Sequence, residues 1–323
     1  MKNIKEIAFG PVPSRRLGRS LGVNNIPPKI CTYSCVYCQL GRNLKMTKIR
    51  QAFYDPEDVF NAVKIKVEDV LSRKEKIDYI TFVPDGEPTL DINLGKELSL
   101  IKTLGIKVAI ISNSSLIDNP DVQNELMGFD LVSLKVDAVS NDIFKKINRP
   151  FKGIELDNIL QGIRDFSSSF KGILITETMI IDNIDYGDEF EKIGEFLASL
   201  NNLEKAYISI PTRPPQEDWV RPPKEETVNE AFQIFETKLP KKVEYLIGYE
   251  GNAFSYSGNL EEDVLSITAV HPMREDALME LVEKDKGSFE VIEKLIRNGL
   301  IKKIQYQGQN YYLRKQKPPA PFY

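Results

Sequence analysis

The 323-residue sequence contains only three cysteines, one histidine and one tryptophan. It shows neither the cysteine content of a disulfide-rich protein nor the long apolar runs of a membrane protein. No stretch approaches the ~18 consecutive apolar residues that a membrane span needs. The first residues lack the apolar core of a secretory signal, and internal repeats and low-complexity tracts are absent. A net charge of −4 argues against a general polyanion binder. We therefore expect a cytoplasmic globular protein without membrane contact, with one large and one small domain.

The charge is unevenly distributed along the chain. Residues 1–50 carry ten Lys and Arg against a single acid, Glu6, for a net +9. The other 33 basic and 46 acidic residues leave −13 to the rest of the chain. The basic segment either faces a negatively charged ligand or forms a solvated surface.

All three cysteines lie within eight residues, at positions 31, 35 and 38 in KICTYSCVYCQLG. An odd, clustered set of this kind is not a disulfide framework, but three thiolates at C-x3-C-x2-C spacing can share one metal centre. A structural zinc site would want a fourth ligand, and the only histidine, His271, is more than two hundred residues away. Three thiolates instead suit a 4Fe–4S cluster with one iron left open to a small molecule.

Hydrophobic periodicity after the cysteines alternates between helix and strand. Strands are predicted at 77–83, 106–112, 129–136, 172–181, 206–211 and 243–249. Helices are predicted at 56–74, 92–104, 119–126, 155–169, 187–200 and 224–237. This alternation predicts an α/β fold, in which a parallel sheet curls into a full or partial barrel with its chemistry at the strand C-termini.

The cysteine motif, with Tyr37 before its last cysteine, resembles that of the radical S-adenosylmethionine (SAM) superfamily. A Gly-Glu-Pro turn, an Asn at a strand end and a Lys-x-Asp strand follow in the order typical of that superfamily. The resemblance implies a partial (βα)6 TIM-like barrel and one 4Fe–4S cluster bound by Cys31, Cys35 and Cys38. It also implies an oxidoreductase-type activity: SAM binds the open iron and is reductively cleaved to a 5′-deoxyadenosyl radical, which abstracts hydrogen from a substrate.

The same resemblance assigns cofactor-binding residues. Gly86, Glu87 and Pro88 would receive the SAM ammonium group, with Asp85 in place of the more usual Gly or Ser before them. Tyr37 would lie beside the adenine, and Asn113 would lie near SAM or substrate.

Three further residues are catalytic candidates on the strands that follow. Lys135 and Asp137 are two residues apart and therefore share a face of their strand, where the resemblance places the barrel interior. A structural ion pair is the alternative role for these two. Glu177 is an inward polar candidate on the next strand, and its alternative is a solvent-facing edge position.

The block FGPVPSRRLGRSLGVN at 9–24 resembles an iron–sulfur oxidoreductase subgroup related to archaeal enzymes that build the wyosine base of tRNA. Those enzymes carry additional cysteines for a second cluster, and this sequence has none left. Wyosine synthesis by that mechanism is therefore not expected, and neither is a peptide-modifying enzyme with auxiliary clusters.

A proline-rich loop at 209–223 interrupts the alternation and contains Arg213, Trp219 and Arg221. Such a loop can cover an anionic substrate at a barrel mouth, or it can simply pack on the side of the barrel.

The C-terminal pattern of helix, turn, helix and hairpin resembles a winged-helix domain. We divide the chain into a barrel domain at 1–255, a linker at 256–265, a winged-helix domain at 266–317 and a tail at 318–323. Residues 286–317 carry a net +6, so nucleic acid can bind there, although an acidic stretch at 261–285 opposes it and winged helices also bind peptides or only mediate docking. His271 is expected to belong to an interdomain turn.

The sequence therefore predicts a radical SAM enzyme with an unidentified substrate: a tRNA base, a peptide or a small, anionic metabolite. An electron donor such as flavodoxin or ferredoxin is an implied partner. The alternative is a non-catalytic iron–sulfur or zinc regulator that binds DNA through the winged helix.

Overall fold

The computed structural model describes residues 7–247, 254, 256 and 258–315, with the side chains of 269 and 270 left aside. The predicted tail at 318–323 lies outside the described residues, as do residue 257 of the predicted linker and residues 316–317 of the predicted winged-helix domain. None of the described helices combines the length and the apolar character needed to cross a bilayer.

One eight-stranded sheet forms the centre of the larger unit. It begins with an antiparallel hairpin of β1 (Ala8–Ser14) and β2 (Gly18–Val23), and β2 then pairs in parallel with β5 (Tyr79–Phe82). The strands that follow are all parallel and lie in chain order: β5 (Tyr79–Phe82), β6 (Val108–Ser112), β7 (Leu131–Lys135), β8 (Ile173–Met179), β9 (Leu203–Ser209) and β10 (Val243–Leu246). No strand pairing joins β1 to β10 in the described part of the chain. The α/β prediction with a parallel sheet is confirmed, and the hairpin is an addition that the Gly- and Pro-rich block at 9–24 did not signal.

Helices connect these parallel strands. They are α1 (Pro56–Ser72), α2 (Leu94–Lys102), α3 (Pro120–Leu126), α4 (Asn141–Ile147), α5 (Leu156–Ser169), α6 (Glu189–Ala198) and α7 (Glu225–Lys238). Each predicted helix of this region overlaps an observed one, whereas α4 was not predicted. Side chains of Asp55 and Asn119 cap α1 and α3, and a proline follows each cap, where its missing N–H costs nothing. The core is made of the apolar faces of these helices and the sheet.

A second, smaller apolar cluster organises the C-terminal residues. It is built from α8 (Leu260–Val270), α9 (Glu275–Lys284), α10 (Phe289–Arg297) and a three-stranded sheet of β11 (Met273–Arg274), β12 (Ile301–Tyr306) and β13 (Gln309–Arg314). Residues 260–265, expected to be linker, are instead the first half of α8, because Asn259 caps this helix and Leu260 and Val264 are buried in the cluster. Helix α8 ends at Val270 with His271 as its C-cap, because Pro272 cannot continue the helix.

Glycines in two surrounding helices allow a matched test of this packing. A Cβ on Gly162 of α5 would lie 2.8 Å from the backbone oxygen of Ile117, whereas one on Gly194 of α6 would meet the flexible side chain of Lys238 at 2.9 Å. We expect Gly162→Ala to lower the free energy of unfolding by about 1–3 kcal/mol, because backbone cannot yield. Gly194→Ala should leave it unchanged or slightly raised, because alanine favours helix. Urea unfolding of both variants checks this, and equal effects would contradict it.

A buried acid pair generates a second prediction. Asp91 and Glu97 are fully buried behind the turn that follows β5. Burial raises the pKa of Glu97 to about 9 and that of Asp91 to about 7. Because the folded-state pKa of Glu97 lies above its ordinary value, its contribution to stability is fully present at acidic pH and is lost as the pH rises toward 9.

Glu97→Gln should therefore raise the free energy of unfolding at pH 8, on the order of 2 kcal/mol, since no buried carboxyl remains to be ionised. The increase in the free energy of unfolding should be smaller at pH 5. Urea titrations at both pH values measure the difference, with Glu230→Gln on the exposed side of α7 as the control. A variant that is less stable than the parent at pH 8 would show that the carboxylate is needed.

Candidate metal centre and active site

The cysteine loop, residues 31–41, lies between two short parallel strands, β3 (Ile30–Cys31) and β4 (Lys45–Met46). Its backbone is bound to the end of α4: the Ser34 N–H donates to the carbonyls of Asn148 and Arg149, and the Val36 N–H donates to Ile147. Valine 36 is fully buried, while all three cysteines are half-buried and free of disulfides. The loop thus presents three thiols from a fixed backbone.

Each thiol has an amide donor beside it. The side-chain amide of Asn113 lies 3.5 Å from the Cys31 sulfur, and that of Asn148 lies 3.7 Å from the Cys35 sulfur. The backbone amides of Leu40 and Gly41 bond to Cys38. Hydrogen bonds of this kind stabilise thiolates and are one means by which proteins tune iron–sulfur clusters.

Without a cation, these thiols resist ionisation. Burial raises the pKa of Cys35 to about 12, and the pKa values of Cys31 and Cys38 are raised for the same reason. The neighbouring thiols add to the effect at Cys31, whereas the ammonium of Lys29 opposes it at Cys38. The donor set therefore fits a group that brings its own positive charge to soft sulfur ligands, as iron does.

Within the ranges that the structure describes, no three His, Cys, Asp or Glu side chains converge on a single ion. Three cysteines that bind a 4Fe–4S cluster each hold a different iron. The loop accordingly fits a cluster with one iron open.

The turn at 84–90, after β5, packs directly on this loop. Gly86 pairs with Ile30 as an isolated bridge, and the Glu87 N–H donates to the Ile30 carbonyl at 3.2 Å. A Cβ on Gly86 would lie 2.0 Å from that carbonyl oxygen. Only glycine permits this approach, which is the physical reason for its place in the Gly-Glu-Pro turn.

Glu87 joins the turn to the end of β6. Its carboxylate is almost completely buried and accepts hydrogen bonds from the Ser112 hydroxyl and the Asn113 N–H, both at 2.8 Å. It also accepts from the N–H and the hydroxyl of Thr89, at 3.2 and 2.7 Å. Burial nevertheless raises its pKa. Glu87 therefore holds Asn113 in position beside Cys31.

The three catalytic candidates come together at the ends of β7 and β8. The Lys135 ammonium lies 3.0 Å from Glu177 and 3.5 Å from Asp137, so the pair predicted to share a face does so. Glu177 also accepts from Arg16 and, at 3.0 Å, from the Ser209 hydroxyl. Its side chain is only 12% exposed, so the solvent-facing alternative is wrong.

Charges within this group are fixed. Burial opposes the ionisation of Glu177, but the cations of Lys135 and Arg16 outweigh it and lower the pKa to about 2. Burial likewise opposes the charge of Lys135, but Asp137 and Glu177 outweigh it and raise the pKa. At neutral pH, Glu177 is therefore a carboxylate and Lys135 an ammonium.

Asp137 connects this group to the cysteine loop. It accepts a hydrogen bond from the Tyr37 hydroxyl, from the Asn148 amide at 2.7 Å and from the Met179 N–H at 2.9 Å. The Lys135 ammonium lies 4.9 Å from the centre of the Tyr37 ring. Through these contacts, Tyr37 links the cysteine loop to the end of β7.

Sequence reasoning missed two residues of this site. Arg16 lies in the block at 9–24, but nothing in the sequence relates it to Glu177. Asn148 follows the unpredicted helix α4 and carries no motif. Both positions depend on contacts between residues more than one hundred positions apart.

The two arginines of the proline-rich loop at 209–223 contact other residues of the protein. Arg213 contacts Gln39 and His271, and Arg221 donates to the carbonyls of its own turn. Trp219 is 37% exposed. Both arginines thus have partners within the protein.

Comparisons with known proteins show which family this chain belongs to. The sequence profile of the radical SAM superfamily matches residues 25–197. A UPF0026 protein of Methanocaldococcus jannaschii is 50% identical over 313 residues, which cover 96% of this chain and 97% of that protein. A UPF0026 protein of Synechocystis is 37% identical over 208 residues, or 64% of this chain and 76% of the relative.

A radical SAM methyltransferase from Sphaerobacter thermophilus shares the fold, with a TM-score of 0.52 and 14% identity over 71% of this chain and 67% of that one. Proteins of this superfamily are enzymes, so the alternative of a non-catalytic DNA-binding regulator is wrong. The family also implies a 4Fe–4S cluster and SAM as cofactors. On the profile match and the relative of nearly equal length, the chain belongs to the radical SAM superfamily, among its UPF0026 members.

Proposed function

We propose that the protein is a radical SAM enzyme with a single 4Fe–4S cluster bound by Cys31, Cys35 and Cys38. When bound, the cluster supplies the electron that cleaves SAM to methionine and a 5′-deoxyadenosyl radical, which takes hydrogen from the substrate. The observation that carries this proposal is the cysteine loop itself: three half-buried thiols, each with an amide donor, beside the Gly86–Glu87 turn.

On the cofactor side, the chain orders the surroundings of SAM. We assign the backbone of the turn at Gly86–Pro88 to the SAM ammonium and the Tyr37 ring to its adenine. Asn113, held by Glu87 and bonded to Thr32 at 2.8 Å, flanks the same space. Because internal donors occupy both Glu87 oxygens, we assign this residue the role of positioning Asn113 and the turn.

On the substrate side, Lys135, Asp137 and Glu177 line the interior with Arg16. A carboxylate whose pKa is about 2 carries no proton to donate at neutral pH, and a lysine whose pKa is raised stays protonated and has no lone pair with which to accept one. We therefore assign Lys135 and Glu177 to binding and orientation through fixed charges, with Arg16 and Asp137 holding them in place.

The contact between Arg16 and Glu177 supports a curled sheet. In a flat sheet, β2 and β8 would be four strand spacings apart, about 19 Å, which is beyond the reach of an arginine side chain. Yet Arg16, in the turn before β2, pairs with Glu177 of β8. We propose the partial (βα)6 barrel on this ground.

The C-terminal unit, defined as α8 to β13 (residues 260–314), has helices α9 and α10 followed by the hairpin β12–β13, an order that supports the winged-helix assignment at 266–317. Three of its cations, Lys294, Arg297 and Lys303, form ion pairs with nearby glutamates. Such pairs weaken the field that nucleic acid would meet, so we favour docking as the main role of this unit.

For the substrate we keep a tRNA base as the candidate to test first, ahead of a peptide or a small anionic metabolite, since the subgroup resemblance of the block at 9–24 supports it. The electron would come from a protein such as flavodoxin or ferredoxin.

The reaction class is tested by anaerobic reconstitution with iron and sulfide. The parent protein should bind about four irons and, with dithionite and SAM, release 5′-deoxyadenosine. Cys35→Ala should lose both properties, because one iron loses its ligand. Arg42→Ala is the matched control, since its side chain in the next segment is 80% exposed. A Cys35→Ala protein with full iron content and full cleavage would contradict the assignment.

The substrate class is tested with the reconstituted protein and bulk tRNA. If a tRNA base is the hydrogen donor, 5′-deoxyadenosine release should rise severalfold above the level without RNA, and the isolated tRNA should gain a modified nucleoside by mass spectrometry. Unchanged release with unmodified tRNA would exclude this substrate class.

A further inference from the structure

We infer that the C-terminal unit positions the cysteine loop through the strap, defined as residues 209–223. This inference deepens the proposed function, because it names a part of the chain outside the barrel that keeps the three thiols in place. It rests on three sets of contacts, which follow one another from the cysteine loop to the hairpin β12–β13.

The first set joins the strap to the cysteine loop. The Glu217 N–H donates to the Val36 carbonyl at 3.1 Å, and the Gln216 side-chain amide donates to the Ser34 hydroxyl at the same distance. Glu217 also binds Arg149 at 2.7 Å, beside the end of α4 where the loop is anchored. The strap therefore bonds to the two residues on either side of Cys35.

The second set joins the strap to the C-terminal hairpin. The Tyr306 hydroxyl donates to the Pro211 carbonyl at 3.0 Å, and the Tyr311 hydroxyl donates to the Thr212 carbonyl at 2.9 Å. Two successive strap carbonyls are thus held by tyrosines from β12 and β13. These two hydroxyl groups bond the hairpin to the strap.

A single side chain links the two ends. One Arg213 nitrogen donates to the side-chain oxygen of Gln39 at 2.7 Å, and the other lies 2.5 Å from the His271 ring. Gln39 directly follows Cys38, and His271 ends helix α8 of the C-terminal unit. One guanidinium therefore spans from the cysteine loop to the smaller core.

These contacts matter because a cluster needs its ligands held within a fraction of an ångström. Within the cysteine loop, the Cys38 N–H donates to the Cys35 carbonyl at 3.0 Å and the Gly41 N–H donates to the Cys38 carbonyl at 3.2 Å, while like-charged thiolates repel one another. The strap supplies additional bonds beside Cys35 and Cys38, and the C-terminal unit holds the strap. A shift of the C-terminal unit would consequently change the exposure and spacing of the thiols.

The test uses the full chain and takes advantage of its composition: Cys31, Cys35 and Cys38 are its only cysteines, so thiol labelling reports on this loop alone. The test variant is Tyr306→Phe combined with Tyr311→Phe, which removes two hydroxyls and leaves the rings. Tyr312→Phe is the matched control, because that hydroxyl, on the same hairpin, bonds to Glu275 instead of the strap.

In the iron-free protein, we expect the double variant to react with a thiol reagent about tenfold faster than the parent, the product of two roughly threefold losses of one hydrogen bond each. In the reconstituted protein, a chelator should extract iron faster by a similar factor. Tyr312→Phe should match the parent in both assays.

Parent-like rates in the double variant would overturn the inference, and so would an equal acceleration by Tyr312→Phe, which would indicate general loosening of the hairpin. Thermal unfolding of each variant shows whether the fold is retained. Arg213→Gln provides a second route if the double variant unfolds, and it should accelerate labelling in the same way. A parent protein that binds no cluster would refute the proposed function, while the labelling result would still decide the link between the C-terminal unit and the loop.

Discussion

Holding three thiols together in a half-buried loop costs free energy, and most of what surrounds the loop offsets that cost. Burial raises the pKa of each thiol, and the charge of one thiolate raises the pKa of its neighbours further. Amide donors from Asn113, Asn148 and the loop backbone favour the charged sulfurs, and iron would complete the compensation. The positions of these donors are therefore as important as those of the ligands, and each is held by further contacts.

Buried charges provide much of that support. Glu87 is tied by four hydrogen bonds and keeps the turn after β5 and the end of β6 together. Asp137 does the same for Tyr37 and Asn148. Buried ion pairs such as Lys135–Glu177 add little net stability, because desolvation opposes their attraction, but they permit few alternative arrangements. In this site they specify geometry.

The two cores divide the molecule less sharply than their sequence patterns suggest. The larger core holds the sheet, and the smaller one holds α8 to α10 with their own short strands. The strap lies between the two cores. On one side it bonds to the carbonyl of Val36 in the cysteine loop, and on the other its own carbonyls at Pro211 and Thr212 accept from the hairpin tyrosines. Arg213 contacts both sides. Proline-rich segments suit this role, since their restricted backbone loses little entropy when it is fixed.

Local residue patterns alone determined the class of the fold and the chemistry of the centre. Alternating apolar periods predicted the parallel strands and their helices, and the spacing of Cys31, Cys35 and Cys38 indicated one shared metal group. These features depend on residues a few positions apart. The hairpin at β1–β2, helix α4, the pairing of Arg16 with Glu177, the donor from Asn148 and the partners of Arg213 emerged only in the tertiary structure. Each depends on side chains from distant segments meeting in a dry interior, where burial and neighbouring charges, neither of which a local pattern records, determine what a residue does.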